Sequence, residues 1–262
     1  MSIVSNLIDR TEVLSETVEG GMLKLKEDII SGNRVTGYSL NFPIWKTCQP
    51  TKVCIETCYY AKGMTAFSAS LRKQIRLYRF VKTHPEHAAL MIAKMYRAEM
   101  MDYICWNGGG DLFAESVQAI NLLAIKLPNM VQWVRTRILN LAALIIESPN
   151  VHIHISLDRV SMKKLDQYER MEKASQNYFF TYQYDRDEKT NPRKIDQRIS
   201  LLYFDGDQQP AWLKQEDDAR ACPRTFMSDR DDACRICRKC FNGEHQRHRL
   251  GASGIARASK GK

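Results

Sequence analysis

The sequence predicts an α/β protein, a partial TIM-like (β/α) barrel of about six parallel strands followed by a cysteine-rich C-terminal segment. Three observations carry that expectation. From Val35 onward, short β-rich runs alternate with helical periodicity, the pattern of parallel β/α units. Such connections are right-handed, so the units wind one way. Polar and charged residues gather just past the expected strand ends, where sheets of this kind bind ligands. Six strands are too few to close an eight-strand barrel, and a doubly wound open sheet is the alternative.

In chain order, residues 1–34 form an N-terminal extension and 35–210 the barrel. The first strand is expected over Thr36–Pro43, leading into a cysteine-bearing loop. Residues 66–82 read as a helix with Phe67, Leu71, Ile75, Tyr78 and Val81 along one face. A second helix starts near Pro85, with Thr83 as candidate cap, and runs to about Met101. Tyr103–Trp106 reads as a buried strand, then Asn107-Gly-Gly-Gly-Asp111 as a loop, then Glu115–Lys126 as a helix. Strands at Val131–Val134 and Val151–Ile155 alternate with helices near 138–147 and 161–174. Tyr178–Tyr182 and Ile199–Phe204 are the last strands. Residues 211–242 form the cysteine-rich segment and 243–262 a basic Gly/Ser/Lys/Arg tail. No internal repeat is visible.

The formal charge of +9 points to a polyanionic partner, because Lys and Arg bind phosphates by releasing condensed counterions. Nucleic acid is the expected partner; a merely basic soluble protein is the bland alternative. The apolar run Ile138–Ile146 contains Asn140 and is too short to cross a bilayer, so no membrane association is expected. The N-terminus carries early acidic residues and no apolar core, unlike a secretory signal. The expected location is the cytoplasm of a bacterial host cell, and there eight cysteines read as metal ligands or redox groups rather than disulfides.

Cys234-Arg-Ile-Cys237-Arg-Lys-Cys240, with Cys222-Pro223 upstream, is the strongest local signal. Three cysteines each three residues apart can wrap adjacent corners of a [4Fe-4S] cube, and a remote cysteine takes the fourth. Zinc more often uses two separated Cys-x-x-Cys pairs that converge on one ion, and it is the alternative here. Cys48, Cys54 and Cys58 lie in the loop after the first strand, where three thiolates leave one metal position open to a ligand. The seven candidate ligands fit either a three-cysteine plus a four-cysteine cluster or one cluster shared by both groups. Cys105, inside a buried strand, reads as core.

The expected strand ends carry Asn107 to Asp111, Arg135-Thr-Arg137, Ser156-Leu-Asp158-Arg159, Gln183 with Tyr184, and Asp205-Gly-Asp207. Asp111, Arg135 and Asp158 are the candidate catalytic groups. Gly108, Gly109, Gly110, Asp111 and Ser156 are the candidate cofactor-binding residues, since consecutive glycines admit close backbone approach and positive φ. A flexible turn is the structural alternative. No Lys-Ser/Thr follows the glycines, which excludes a phosphate loop there. His152 and His154 share one strand face and read as core. No Gly-x-Ser-x-Gly elbow, His-Glu-x-x-His helix or Rossmann fingerprint is present, which argues against hydrolase and dehydrogenase chemistry.

Taken together, Cys48/Cys54/Cys58-Tyr-Tyr, Gly-Gly-Asp-Leu-Phe113, Pro128-Asn, Trp133-Val-Arg-Thr-Arg137, Asn150 with Ser156, and Cys222-Pro with Cys234/Cys237/Cys240 resemble the phage gene product eighty-eight family over residues 30–242. That resemblance implies a phage or mobile-element origin and no established chemistry. The layout is also similar, more distantly, to the radical S-adenosylmethionine enzymes. In those, a three-cysteine loop follows the first strand and Gly-Gly-Glu follows the second. Cys54-Ile-Glu-Thr-Cys58-Tyr matches the start of their cysteine signature, and Gly109-Gly110-Asp111 stands where Gly-Gly-Glu would. Their third cysteine falls at Ala61, with Cys48 offering a thiol from the other side of the loop. The resemblance implies a [4Fe-4S] cluster at the barrel mouth and S-adenosylmethionine as cofactor; the seven cysteines make that one or two clusters, and the basic charge makes a nucleic acid or nucleotide the expected substrate. The competing expectation is a non-enzymatic module binding nucleic acid or a host protein, its metal sites structural. Oligomeric state is not legible.

Overall fold

In a computed structural model, residues 29–33, 36–61, 63–166, 178–184, 188, 194–203, 220–222, 233–238 and 240–241 are described. The basic tail, most of the N-terminal extension, Asp205 to Asp207 and the end of the helix expected near 161–174 lie outside them.

The sheet has seven strands: β1 (Ser31–Asn33), β2 (Gly37–Asn41), β3 (Tyr103–Gly109), β4 (Val131–Thr136), β5 (Val151–Leu157), β6 (Tyr178–Gln183) and β7 (Ile199–Tyr203). Their spatial order is their chain order. β1 pairs antiparallel with β2, and every later neighbour pair is parallel. Among the described strands the order never reverses, so they show no switch point of the kind that defines a doubly wound sheet. The six expected strands are all present. The short β1 was not anticipated.

Helices separate the strands: α1 (Ile44–Thr47), α2 (Lys52–Thr57), α3 (Ser68–Thr83), α4 (Pro85–Ala98), α5 (Ala114–Lys126), α6 (Leu139–Ala142) and, near the C-terminus, α7 (Ala233–Cys237). α3 buries Leu71, Ile75, Leu77 and Val81, as its periodicity requires, but Phe67 sits at the N-cap and is 62% exposed. Thr83 closes α3, and His84 caps α4. The helix expected near 138–147 is only α6, four residues long. Asn121 competes for the backbone beyond it, donating to Leu144 O at 2.9 Å and accepting from Ile146 N at 2.9 Å. Ser161–Lys164 is a 3₁₀ turn rather than the first turn of a regular helix.

Both faces of the sheet are covered, and every residue of β3 and β5 is buried. Alternate residues divide between two clusters. Ile104, Trp106, Val134, Ile153, Ile155 and Phe180 join the main core with α3, α4 and α5. There Trp106 Nε1 donates to Gln132 Oε1 at 2.9 Å and Gln132 donates to Ile120 O at 3.1 Å, so the buried amide is satisfied. Tyr103, Cys105 and Trp133 face the other way, where Phe241 packs on them.

β3 runs three residues further than expected, so Asn107, Gly108 and Gly109 belong to the strand. The pairing jumps from Leu40↔Trp106 to Asn41↔Gly109, a bulge in which Asn107 takes φ 59°.

Candidate functional site

α2 is six residues long and would not persist alone, so its position depends on tertiary anchors. Thr51 caps it, its Oγ1 accepting from Cys54 N at 3.1 Å. The same hydroxyl donates to Asp158 Oδ2 beyond β5. At the other end Thr57 Oγ1 accepts from Gln183 Nε2, on β6, at 2.8 Å. Next along the chain, Tyr59 OH donates to Gly108 O on β3 at 2.5 Å. Before α2, Thr47 Oγ1 accepts from Asp111 N at 2.9 Å. The cysteine loop is thus tied to residues at the C-terminal ends of β3, β5 and β6.

This mooring brings Cys48, Cys54 and Cys58 to one cavity of about 590 Å³, which Gly108, Gly109, Gly110, Asp111, Arg135, Arg137 and Ser156 also border. Cys54 in the first turn of α2 and Cys58 at its C-cap are four residues apart, on one side of the helix. Burial raises the pKa of Cys48 well above an ordinary thiol, and Asp111 and the other two cysteines raise it further. Burial also raises Cys54, against the lowering effect of Arg137.

Asp111 is a tie between strands. Its Oδ1 accepts from Leu112 N at 2.8 Å and Thr136 Oγ1 at 2.6 Å, and its Oδ2 from Arg137 N at 3.1 Å. Burial pushes its pKa up to about 6, although these hydrogen bonds and Arg137 pull the other way. The glycines before it are demanded by the protein itself. A Cβ on Gly109 would lie 2.2 Å from the Tyr60 ring. One on Gly110, at φ 83°, would lie 2.7 Å from Phe42 O. The close approach expected for a ligand is therefore made by the cysteine loop and the segment after β2.

Asp158 is fully buried and paired with Arg137 at 2.8 Å. Ser161 N and Val160 N each donate to its Oδ1 at 3.0 Å. Burial alone would raise its pKa, but Thr51, Ser161 and Arg137 outweigh it and the pKa lies below the usual value. Arg137 reaches Gln183 Oε1 with its other terminal nitrogen at 2.8 Å. Ser156 lies 3.4 Å from Thr181 across the β5–β6 pair.

The second cysteine group is built from the C-terminal segment, near Arg135. Cys222 N donates to Leu202 O at 2.7 Å, and an isolated parallel bridge Leu202↔Ala221 extends the sheet past β7. Cys234 and Cys237 sit in α7, and Cys240 follows, Phe241 stacking on Tyr103 at 4.1 Å. His154 Nε2 lies 2.9 Å from Cys240 O, so this histidine braces the segment. Burial raises the Cys240 pKa well above an ordinary thiol, and Cys222, Cys234 and Cys237 add to the rise. The four C-terminal cysteines therefore gather together, apart from the first three. Burial pushes Cys105, in the strand beneath them, up to about 12.

Among the described residues no three His, Cys, Asp or Glu side chains are set to hold a single metal ion. The donor chemistry still fits a cluster. Cysteine thiols give up their protons to a bound metal cation, which supplies the opposing charge in a buried setting. A four-iron cube also holds its cysteine sulfurs farther apart than a tetrahedron around one ion does.

The mooring roles of Thr51, Thr57 and Tyr59 were not anticipated; Thr57 and Tyr59 stood only as motif neighbours of Cys58, and Thr51, three residues before Cys54, left a local signal as a capping residue. No helix among the described residues is long and apolar enough to cross a membrane. The family model described as Gene product 88 matches residues 15–243. No curated protein matches the chain, and no solved structure does.

Proposed function

We propose, from the premise that this chain belongs to the Gene product 88 family of phage proteins, that it is an iron–sulfur enzyme acting on a nucleic acid or nucleotide. The sheet is read as a partial TIM-like barrel, because six parallel strands follow one another without reversal. Cys48, Cys54 and Cys58 would hold one [4Fe-4S] cluster at the strand ends, and Cys222, Cys234, Cys237 and Cys240 a second. The observation that supports this most is the separation of seven thiols into two groups, three bordering a cavity and four without it.

Three protein ligands leave one cluster corner for an added ligand, and the resemblance to radical S-adenosylmethionine enzymes makes that molecule the candidate. When bound, the cluster would supply one-electron chemistry. The chain's own residues do the rest. Asp111, Asp158, Arg137 and Gln183 hold the cysteine loop at the strand ends, so they position rather than react. Arg135 and Asn107 face the cavity as recognition groups. The formal charge of +9 favours a phosphate-bearing substrate.

One observation favours a second reading, a nucleic-acid or host-protein binding module with structural iron–sulfur or zinc sites. Both candidate acid–base carboxylates are engaged by protein donors, leaving no free proton acceptor of that type among them. The deciding experiment is iron, sulfide and zinc content of anaerobically purified protein with its electron paramagnetic resonance spectrum. Iron and sulfide in equal amount, and a spectrum that changes on adding S-adenosylmethionine, support the enzyme. Iron and sulfide with an unchanged spectrum favour the binding module, and zinc alone refutes the cluster reading.

A further inference from the structure

We propose that the cavity takes a small organic anion that also bears an N–H or O–H donor, Arg135 holding the anionic group and Asn107 accepting from the donor. The proposal rests on reading the cavity as a ligand site and names the chemistry of what enters it.

Three charged groups of ordinary acids and bases border the cavity besides the thiols: Asp111, Arg135 and Arg137. Two are already committed. Asp111 accepts three hydrogen bonds, and Arg137 is paired with Asp158 and Gln183. The Arg135 side chain has no hydrogen bond and no ion pair among the described residues. Its guanidinium lies 5.8 Å from the Trp133 ring, and the phenols of Tyr59 and Tyr203 and the thiols of Cys105, Cys234 and Cys240 are among the ionisable groups that act on it. Among the described residues no hydrogen bond occupies the planar fork of the guanidinium, and that fork suits a carboxylate or phosphate.

Asn107 supplies the independent observation. It is 4% exposed, and its Nδ2 donates to Arg135 O at 2.9 Å. That bond fixes which end of the amide is oxygen. The remaining atom, Oδ1, is buried and has no partner. Buried acceptors are nearly always paired, and Asn107 borders the cavity, so a donor on a molecule held there would complete it. The register Trp106↔Val134 puts Asn107 beside Arg135 on adjacent strands, so the two unsatisfied groups are neighbours. A cavity of about 590 Å³ suits a ligand of nucleotide size.

The test is calorimetric titration of the cluster-loaded full chain with adenosine 5′-monophosphate, S-adenosylhomocysteine and uncharged adenosine. The first two carry the anion as phosphate and as carboxylate, and whichever binds identifies the source. At least one should bind about tenfold or more tighter than adenosine. Arg135→Gln should abolish that preference, Arg135→Lys restore part of it, and Asn107→Asp weaken the anion by placing a carboxylate beside Arg135. Equal affinity for all three ligands, no binding of any, or an unchanged preference in Arg135→Gln overturns the proposal. Iron loss or unfolding in Arg135→Gln overturns it too, because Arg135 would then be the counter-charge of the C-terminal thiolates. Absence of iron from the unmutated protein is a different failure, that of the cluster reading itself.

Discussion

Thr57 and Gln183 lie 126 positions apart, yet Gln183 Nε2 donates to Thr57 Oγ1 at 2.8 Å. The bond joins the last residue of the cysteine helix α2 to the last residue of β6. The same glutamine accepts from Arg137, and Arg137 pairs with Asp158, which accepts from Thr51 at the other end of α2. A closed circuit of side chains from three strand ends thus holds a short helix that carries two thiols. The cysteines are where they are because this polar circuit adds direction to the apolar packing of Val53, Tyr60 and Ala61.

Breaking the circuit at its charged link should be severe. The Arg137 and Asp158 side chains are 11% and 0% exposed, so Arg137→Ala leaves a buried carboxylate without its cation. The expected loss is about 3–5 kcal/mol, read as a lower midpoint in denaturant-induced unfolding. Gln183→Leu removes the bond to Thr57 and the one from the Arg137 guanidinium but leaves the ion pair intact, and should lose about 1–3 kcal/mol. If Arg137→Ala unfolds at the wild-type midpoint, the pair does not hold the loop.

Much of this fold was legible before the structure, because strand and helix are written in local periodicity. All six parallel strands and the helices α3, α4 and α5 follow from the spacing of apolar residues. What escaped were consequences of long-range contact. The helix expected near 138–147 shrank to α6 because Asn121, on another helix, takes the backbone groups beyond it. Asn107 to Gly109 read as a loop because glycine is a turn residue, but Gly109 pairs with Asn41 and the strand reaches it across a bulge. The seven candidate ligands stood out by type and spacing, whereas their partition into three and four needed the fold. The role of Asp111 was least legible. A carboxylate past a strand end suggests a ligand contact, and only the positions of Thr136 and Arg137 reveal a structural tie.

Asp111 should make stability fall as pH rises. Its folded pKa is pushed up to about 6, above the value of about 3.9 in an unfolded chain. The folded state therefore holds a proton that the unfolded state releases between these values. Its contribution is most favourable below about pH 4, declines through the window and is fully lost above about pH 6. Over the accessible part of that window, Asp111→Asn should flatten the pH dependence. The comparison is unfolding free energy of both proteins at pH 5 and pH 7. An identical change in the two proteins would show that Asp111 does not titrate there.

Two glycines with positive φ offer a matched pair. Gly110 and Gly63 have φ of 83° and 64°, so alanine is strained at either, by about 1–2 kcal/mol. Only Gly110 is also crowded, its Cβ meeting Phe42 O at 2.7 Å, while nothing lies within 4 Å at Gly63. Gly110→Ala should therefore destabilise the protein distinctly more than Gly63→Ala and disturb the cavity wall. Thermal unfolding of the two variants side by side measures the difference. Equal losses would mean that the segment after β2 can retreat at no cost.

The partition of the cysteines predicts independent metal loss. Cys54→Ser should remove the iron held at the cavity and leave the C-terminal site loaded, and Cys237→Ser should do the reverse. Each variant would then retain roughly half the iron if both sites bind clusters of the same kind. Phe241→Ala tests the second site without touching a ligand. Its ring stacks on Tyr103 at 4.1 Å and lies 5.6 Å from that of Trp133, anchoring the residue next to Cys240. Removing a buried aromatic ring loses about 3–5 kcal/mol of packing, so the C-terminal site should release its metal at lower chelator concentration while the cavity site is unchanged. If any one of these substitutions strips all iron at once, both groups serve a single cluster and the two-site arrangement is wrong.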